Sequence, residues 1–133
     1  MSLFHGHAQD LPAEQGSADS FTGDVQIRIV AAGQQGPVSV GRVTFGRGAR
    51  THWHTHSGEQ VLYFLEGQGR VQRRGDQVID AVAGDIVRIS AGEEHWHGAH
   101  PDEQHQMTHL AITFGTPTWL EPVSDEQYRG QQI

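Results

Sequence analysis

The chain has 133 residues, 16 of them acidic and 9 basic, for a net charge of -7 at neutral pH. That length suits one compact domain, and the acidic balance, with no Lys/Arg-rich run, excludes a phosphate-backbone footprint and sets nucleic acid aside. No apolar window is long enough to cross a bilayer and no basic-then-apolar leader opens the chain, so a cytoplasmic protein without membrane contact is expected.

The absence of cysteine excludes disulfides and zinc-thiolate sites, so any metal must be held by nitrogen and oxygen. Seventeen glycines and five prolines favour short strands and tight turns over a helical bundle. Residues 1–20 carry few apolar side chains and read as an irregular arm, with His5 and His7 exposed on it. From Asp24, the residues Val25, Ile27, Ile29 and Ala31 alternate with Gln26, Arg28 and Val30, as a half-buried strand requires; Gly33 to Pro37 ends it. In Val38 to Phe45 the apolar face changes parity near Gly41, which predicts a bulge there.

After the Gly46-Arg47-Gly48 turn comes Arg50 to Gln60. As a strand it projects His52, His54 and His56 from one side and Trp53 and Thr55 from the other. Ser57-Gly58 breaks it, and Gln60 to Leu65, apolar on both faces, predicts a strand covered on both sides. Turns near residues 66–69, 74–76 and 83–85 separate short strands at 70–73, 77–82 and 86–89, the spacing of an antiparallel sandwich or barrel. His95-Trp96-His97 again puts two histidines on one face and a tryptophan on the other, before a polar loop. Further on, Met107, His109, Ala111 and Thr113 alternate with Thr108, Leu110, Ile112 and Phe114, so that His109 looks inward. Trp119 to Val123 predicts a last strand, and Ser124-Asp125-Glu126-Gln127 a capping box for one helical turn.

A lone histidine on a strand reads as a polar residue on a solvated face; two clusters in a chain of short strands read as a metal site. Neutral imidazole suits manganese, iron, nickel and zinc, and those that accept six ligands also take amide oxygen and water. His54, His56 and a third histidine supply such a set, Gln60 folds back past the turn, and His95 is the best donor from another strand, with Gly92 letting that strand approach closely. His52 reads as a rim or solvent residue, His100 and His105 as exposed, and Trp53 and Trp96 as packing away from the metal.

The run from Gly48 through His54, His56 and Gln60 to Gly67 resembles the first motif of the cupins, and Gly84 to His95 resembles the second. The resemblance covers Phe21 to Tyr128. It implies an all-β, single-domain cupin: a double-stranded β-helix or jelly-roll barrel at 21–128, an arm at 1–20, and a tail at 129–133 after a short C-terminal helical turn. The chain departs from the pattern in having Gln60 where glutamate is usual, with Glu59 facing away, and in having Ser90 and Ala99 in place of proline and asparagine. The glutamine makes the site less anionic and leaves more net positive charge on a bound metal.

Within the cupins, Phe21-Thr22-Gly23, Trp53 to His56, Gln60, Glu94 to Ala99, Met107 to Ile112 and Asp125 to Tyr128 are similar to small bacterial proteins that include the manganese- or iron-dependent hydroxynitrile lyases. Similar stand-alone cupins are named after carboxymuconolactone decarboxylases. The resemblance implies His54, His56, Gln60 and His95 as metal ligands, and His97 and His109 as catalytic residues beside open coordination positions. The metal it implies is manganese or iron, with nickel or zinc as alternatives. The implied activity is that of a lyase on a small-molecule substrate with a hydroxyl or carbonyl group, cyanohydrin cleavage and synthesis being its sharpest form. The alternatives are a cupin-type dioxygenase and a non-catalytic ligand-binding cupin. A homodimer or higher homo-oligomer is expected.

Overall fold

A computed structural model describes residues 3–32 and 37–130, so all but Pro37 of the predicted strand end at Gly33 to Pro37, and the tail beyond Gly130, lie outside the described residues. Two antiparallel sheets face each other. The first runs in the order β1 (Glu14–Gln15), β3 (Val25–Ala32), β4 (Val38–Phe45), β12 (Met107–Phe114), β7 (Gln60–Glu66) and β10 (Ile86–Ile89). The arm therefore contributes an edge strand, β1, paired through Glu14 and Ile27.

The second sheet centres on β11 (His95–Ala99). On one side it pairs with β8 (Gln68–Arg73), which forms a hairpin with β9 (Ile79–Val82). On the other side β5 (Arg50–Thr51) and β6 (His54–His56) follow one another along it, with β2 (Phe21–Thr22) beyond β5 and β13 (Pro117–Trp119) beyond β6. Alternate residues point between the sheets. Val25, Phe45, Leu62, Phe64 and Met107 meet there with no exposed surface.

Four expectations need correction. Strand β4 pairs with β12 residue for residue from Phe45 opposite Met107 to Val38 opposite Phe114, so it carries no bulge. The register shift sits instead on β3, between Ile29 and Ala31. The apparent change of parity arose because the interior positions Ser39 and Gly41 are small and line a cavity. Strand β7 is covered on one face only: Gln60, Leu62 and Phe64 are buried, whereas Tyr63 is 44% and Leu65 39% exposed. The last strand is Pro117–Trp119, ahead of the predicted 119–123. Finally, Gly92 has open space around its would-be Cβ and φ of +80°, so it serves a turn; the close approach is at Gly98, where a Cβ would lie 2.6 Å from the Ala49 carbonyl oxygen.

The outer face of the second sheet is covered by the C-terminal segment. Trp53 and Trp96, facing away from the interior as expected, pack there with Val123 and Tyr128. The capping box is present: the Ser124 hydroxyl accepts from the Gln127 N–H, and the Gln127 amide oxygen accepts from the Ser124 N–H, opening α1 (Asp125–Tyr128). Arg50 ties this turn down, donating to the Val123 carbonyl at 2.8 Å and to Asp125 at 2.9 Å, with its guanidinium 4.3 Å from the centre of the Tyr128 ring. The Tyr128 hydroxyl donates to the Ala99 carbonyl. The C-terminal turn thus anchors β5 and the end of β11, whose neighbouring residues face the interior cavity.

Candidate metal centre

The histidine stretch is two short strands and not one. At His52 and Trp53 the chain leaves the ladder: the His52 N–H donates to the Ser20 carbonyl at 2.8 Å and the Trp53 N–H to the Glu121 carbonyl at 2.9 Å. The alternation survives only within β6, which keeps His54 and His56 on one face. His52, expected at the rim or in solvent, is buried behind the site, and its carbonyl accepts the Nδ1–H of His54 at 2.9 Å. His95 repeats this arrangement, with Nδ1 2.9 Å from the Glu93 carbonyl. A carbonyl cannot donate, so both rings carry their proton on Nδ1 and present the Nε2 lone pair, the tautomer a metal ligand needs.

Strand pairing places His95 directly opposite His54, with ring centres 4.2 Å apart, and the His56 ring lies 4.9 Å from His54 and 5.4 Å from His95. Gln60 is buried beside them. Its Nε2 donates to the Thr113 hydroxyl at 2.8 Å, which turns Oε1 towards His95 Nε2 at 3.1 Å. With the His95 proton on Nδ1, two lone-pair atoms face each other at that distance, an arrangement that a shared cation satisfies. The candidate ligand nitrogens of His54, His95 and His97 all lie within 4.8 Å of one another. His97 Nδ1 is 3.0 Å from His109 Nε2, and the remaining nitrogens, His97 Nε2 and His109 Nδ1, are buried with no hydrogen-bond partner among the described residues.

Burial is the main influence on every one of these rings, because an imidazolium loses its hydration there. It holds His54 and His97 well below the ordinary histidine range, reinforced by neighbouring imidazoles, and pushes His56 and His109 down to about 4. His95 is lowered too, against an opposing hydrogen bond to Glu93. At neutral pH the nest is therefore uncharged and rich in lone pairs. Imidazole nitrogens with one amide oxygen and no carboxylate suit a transition metal better than calcium or magnesium, which favour all-oxygen shells. The residues present fit such an ion.

A cavity of about 220 Å³ leads to the nest. His54, His56, Gln60 and His97 line its buried end; Ile27, Ile29, Phe21 and Trp119 line its more exposed end. His109 stands behind His97, against Phe45 and Phe64 at ring distances of 5.1 and 5.4 Å. All six residues expected from the sequence converge here. His5, His7 and His105 are exposed and apart from it, and half-buried His100 lies against Arg70 at 3.2 Å.

Two residues of the site were missed. Thr113, whose inward parity was legible, orients the Gln60 amide. Trp119 pairs across β13 with His54, its ring 4.5 Å away and tilted by 30°. Its inward direction follows from the strand's true limits, which no local pattern marked.

Two antiparallel sheets closed around a nest of imidazoles define a small β-barrel with an internal candidate metal centre. The chain belongs to the cupin family, whose domain it matches over residues 41–112. It is 46% identical over 120 residues to the (R)-mandelonitrile lyase of Granulicella tundricola, covering 86% of this chain and 90% of that one. It is also 31% identical over 84 residues to the acireductone dioxygenase of Gluconobacter oxydans, covering 60% and 40% of the respective chains. Among solved structures it superposes on a cupin-like protein from Thermotoga maritima with a TM-score of 0.81 and 40% identity, over 86% of this chain and 90% of that one.

Proposed function

We propose that this chain is a metal-dependent lyase of small hydroxylated or carbonyl compounds, and that cyanohydrin cleavage and synthesis is its reaction. The observation that carries the reading is the His97–His109 pair: a buried imidazole nitrogen without a partner among the described residues, beside the candidate ligands and backed by a second imidazole at 3.0 Å. The 46% identity to a mandelonitrile lyase supports it. In this reading His54, His56, Gln60 and His95 hold manganese or iron, which supplies Lewis-acid polarisation of the substrate oxygen.

His97 does the proton work. When its Nδ1–H donates to His109, its Nε2 is free to accept the proton of the substrate hydroxyl. The O–H electron pair becomes the carbonyl bond, the bond to the nitrile carbon breaks, and its electron pair leaves with cyanide. Cyanide then takes the proton from His97 Nε2, releasing an aldehyde and hydrogen cyanide; synthesis is the reverse. His109 selects the tautomer and shares the transient charge through the Nδ1–H···Nε2 bond. Burial keeps both rings neutral at rest, as a base requires.

Element analysis of protein purified without added metal, followed by a mandelonitrile cleavage assay, tests this. Stoichiometric manganese or iron and benzaldehyde release only from the loaded protein are expected; release that ignores the metal, or none at all, refutes it. The similarity to acireductone dioxygenase favours a second reading, oxygen-dependent cleavage, which oxygen uptake by iron-loaded protein on aromatic diols would reveal.

We also propose a homodimer built on the outer face of the first sheet. Ile86, Tyr63 and Leu110 lie side by side across β10, β7 and β12, and Val61, Ile112 and Val40 across β7, β12 and β4. Ile86 is 62% exposed. An apolar sheet face of this extent is suited to packing on another sheet, and a second copy offers a matching one. Sedimentation equilibrium should return the mass of two chains, and Tyr63→Glu should return the mass of one.

A further inference from the structure

The wall that the first sheet gives the cavity is apolar except along one row. Ile27, Ile29, Gly41, Val43 and Ala111 carry no polar side-chain atom, whereas Ser39, Thr113 and Gln60 stand directly side by side across β4, β12 and β7. Residues opposite one another in a sheet share a face, so these three polar groups enter the cavity together. Gln60 is the end of the row at the histidines, its Oε1 3.1 Å from His95 Nε2. Each hydroxyl lies one strand further out, at a spacing of about 4.8 Å.

The hydrogen bonding along the row has a direction. The Gln60 Nε2–H donates to the Thr113 hydroxyl oxygen at 2.8 Å. A hydroxyl has a single proton besides its acceptor sites, so the Thr113 proton is free to be donated, and it has no acceptor among the described residues. The half-buried Ser39 hydroxyl has no hydrogen-bond partner among the described residues at all. Orienting the Gln60 amide needs Thr113 alone and leaves Ser39 without a role.

We infer that Thr113 and Ser39 form a pair of hydrogen-bond donors for the second polar group of the substrate, an acceptor without protons of its own that lies a few atoms from the reacting hydroxyl. This rests on the lyase reading, in which that group is the nitrile and its nitrogen gains charge as the bond to the nitrile carbon breaks. Two O–H groups aimed at it stabilise the departing cyanide, because a hydrogen bond strengthens as its acceptor becomes charged. The work is then divided between the sheets. His97, on the second sheet, takes and returns the proton; the hydroxyls, on the first, hold the anion and keep their own protons throughout.

Azide, a linear anion with terminal acceptor nitrogens, is the probe. Metal-loaded protein is titrated with it by calorimetry, the antisymmetric azide stretch is read by infrared spectroscopy, and metal content is measured, for the parent, Ser39→Ala, Thr113→Val and Thr113→Ser. Ser39→Ala and Thr113→Val should each raise the azide dissociation constant by about tenfold or more, as loss of a hydrogen bond to a charged acceptor implies. Both should also move the stretch, and Thr113→Ser should keep the parent values. Ser39→Ala is the decisive variant, since Ser39 bonds to no candidate ligand and the metal should stay in full. A parent that does not bind azide, or a constant and a stretch that Ser39→Ala leaves unchanged, overturns the donor pair. So does a change confined to Thr113→Val and accompanied by loss of metal, which reduces Thr113 to the residue that orients Gln60. The lyase reading fails separately: a protein that holds azide through both hydroxyls yet releases no benzaldehyde from mandelonitrile keeps the donor pair and loses that reading.

Discussion

His97→Ala should lower mandelonitrile turnover by about 10²- to 10⁴-fold, the usual contribution of a positioned general base, while the protein keeps its metal. The metal should stay because His54 and His95 each have Nδ1 committed to a backbone carbonyl, leaving Nε2 as a fixed donor. His97 instead has Nδ1 against another imidazole, an arrangement that lets a proton come and go. His109→Ala should act more weakly and through His97, since His109 stands behind it and does not line the cavity. Its signature is a changed pH profile of turnover, partly restored by His109→Gln, which can still hydrogen-bond to Nδ1. Element analysis decides the alternative assignment: loss of the metal in His97→Ala would make His97 a ligand, consistent with its 4.8 Å grouping with His54 and His95, and would end its role as base.

Acidification is the second large effect. Stripped of metal, the protein should lose stability steeply as pH falls from 6.5 towards 4. The unfolded chain takes up protons on histidine near pH 6.5, whereas in the folded chain His109 resists protonation down to about 4. A folded-state pKa below the unfolded value means that the unfolded state binds more protons in between. Stability is therefore full above 6.5, falls through this window and levels off below the folded value. At about 1.4 kcal/mol per unit, His109 alone accounts for roughly 3 kcal/mol, and His54, His95 and His97 act in the same direction. The shifted carboxylates, Glu103, Glu121 and Asp125, are moved downward, so their own loss of stability begins only at the acid end of the window, in the ordinary carboxylate range, and continues below it. Thermal unfolding at pH 7.5 and 4.5 measures the effect. A His109→Leu variant should show a shallower fall, and an equal fall would show that His109 is not responsible. Loaded protein should exceed stripped protein in stability at pH 7.5 and lose that advantage at pH 4.5, where protons compete for the same nitrogens.

What depends on the two-residue period of a strand was legible from the residues alone. That period is local, so it placed His54 with His56, turned Glu59 and the two tryptophans Trp53 and Trp96 away, and sent His109 inward. The capping box at Ser124 was legible for the same reason, since both of its hydrogen bonds close within four residues. Which strands lie side by side was not legible there, because it depends on contacts between distant parts of the chain. The pairing of β6 with β11 sets His95 against His54 across 41 positions of chain, and the break at His52 turns a third apparent ligand into a carbonyl that orients the first. Coverage is equally non-local: the apolar outer face of β7 looked buried because nothing in its own residues tells whether a second layer lies over it. Trp119 entered the site by the same route, because its direction depends on where β13 meets β6. A parity is written in neighbouring residues, whereas a partner is chosen by the closing of two sheets around a common core.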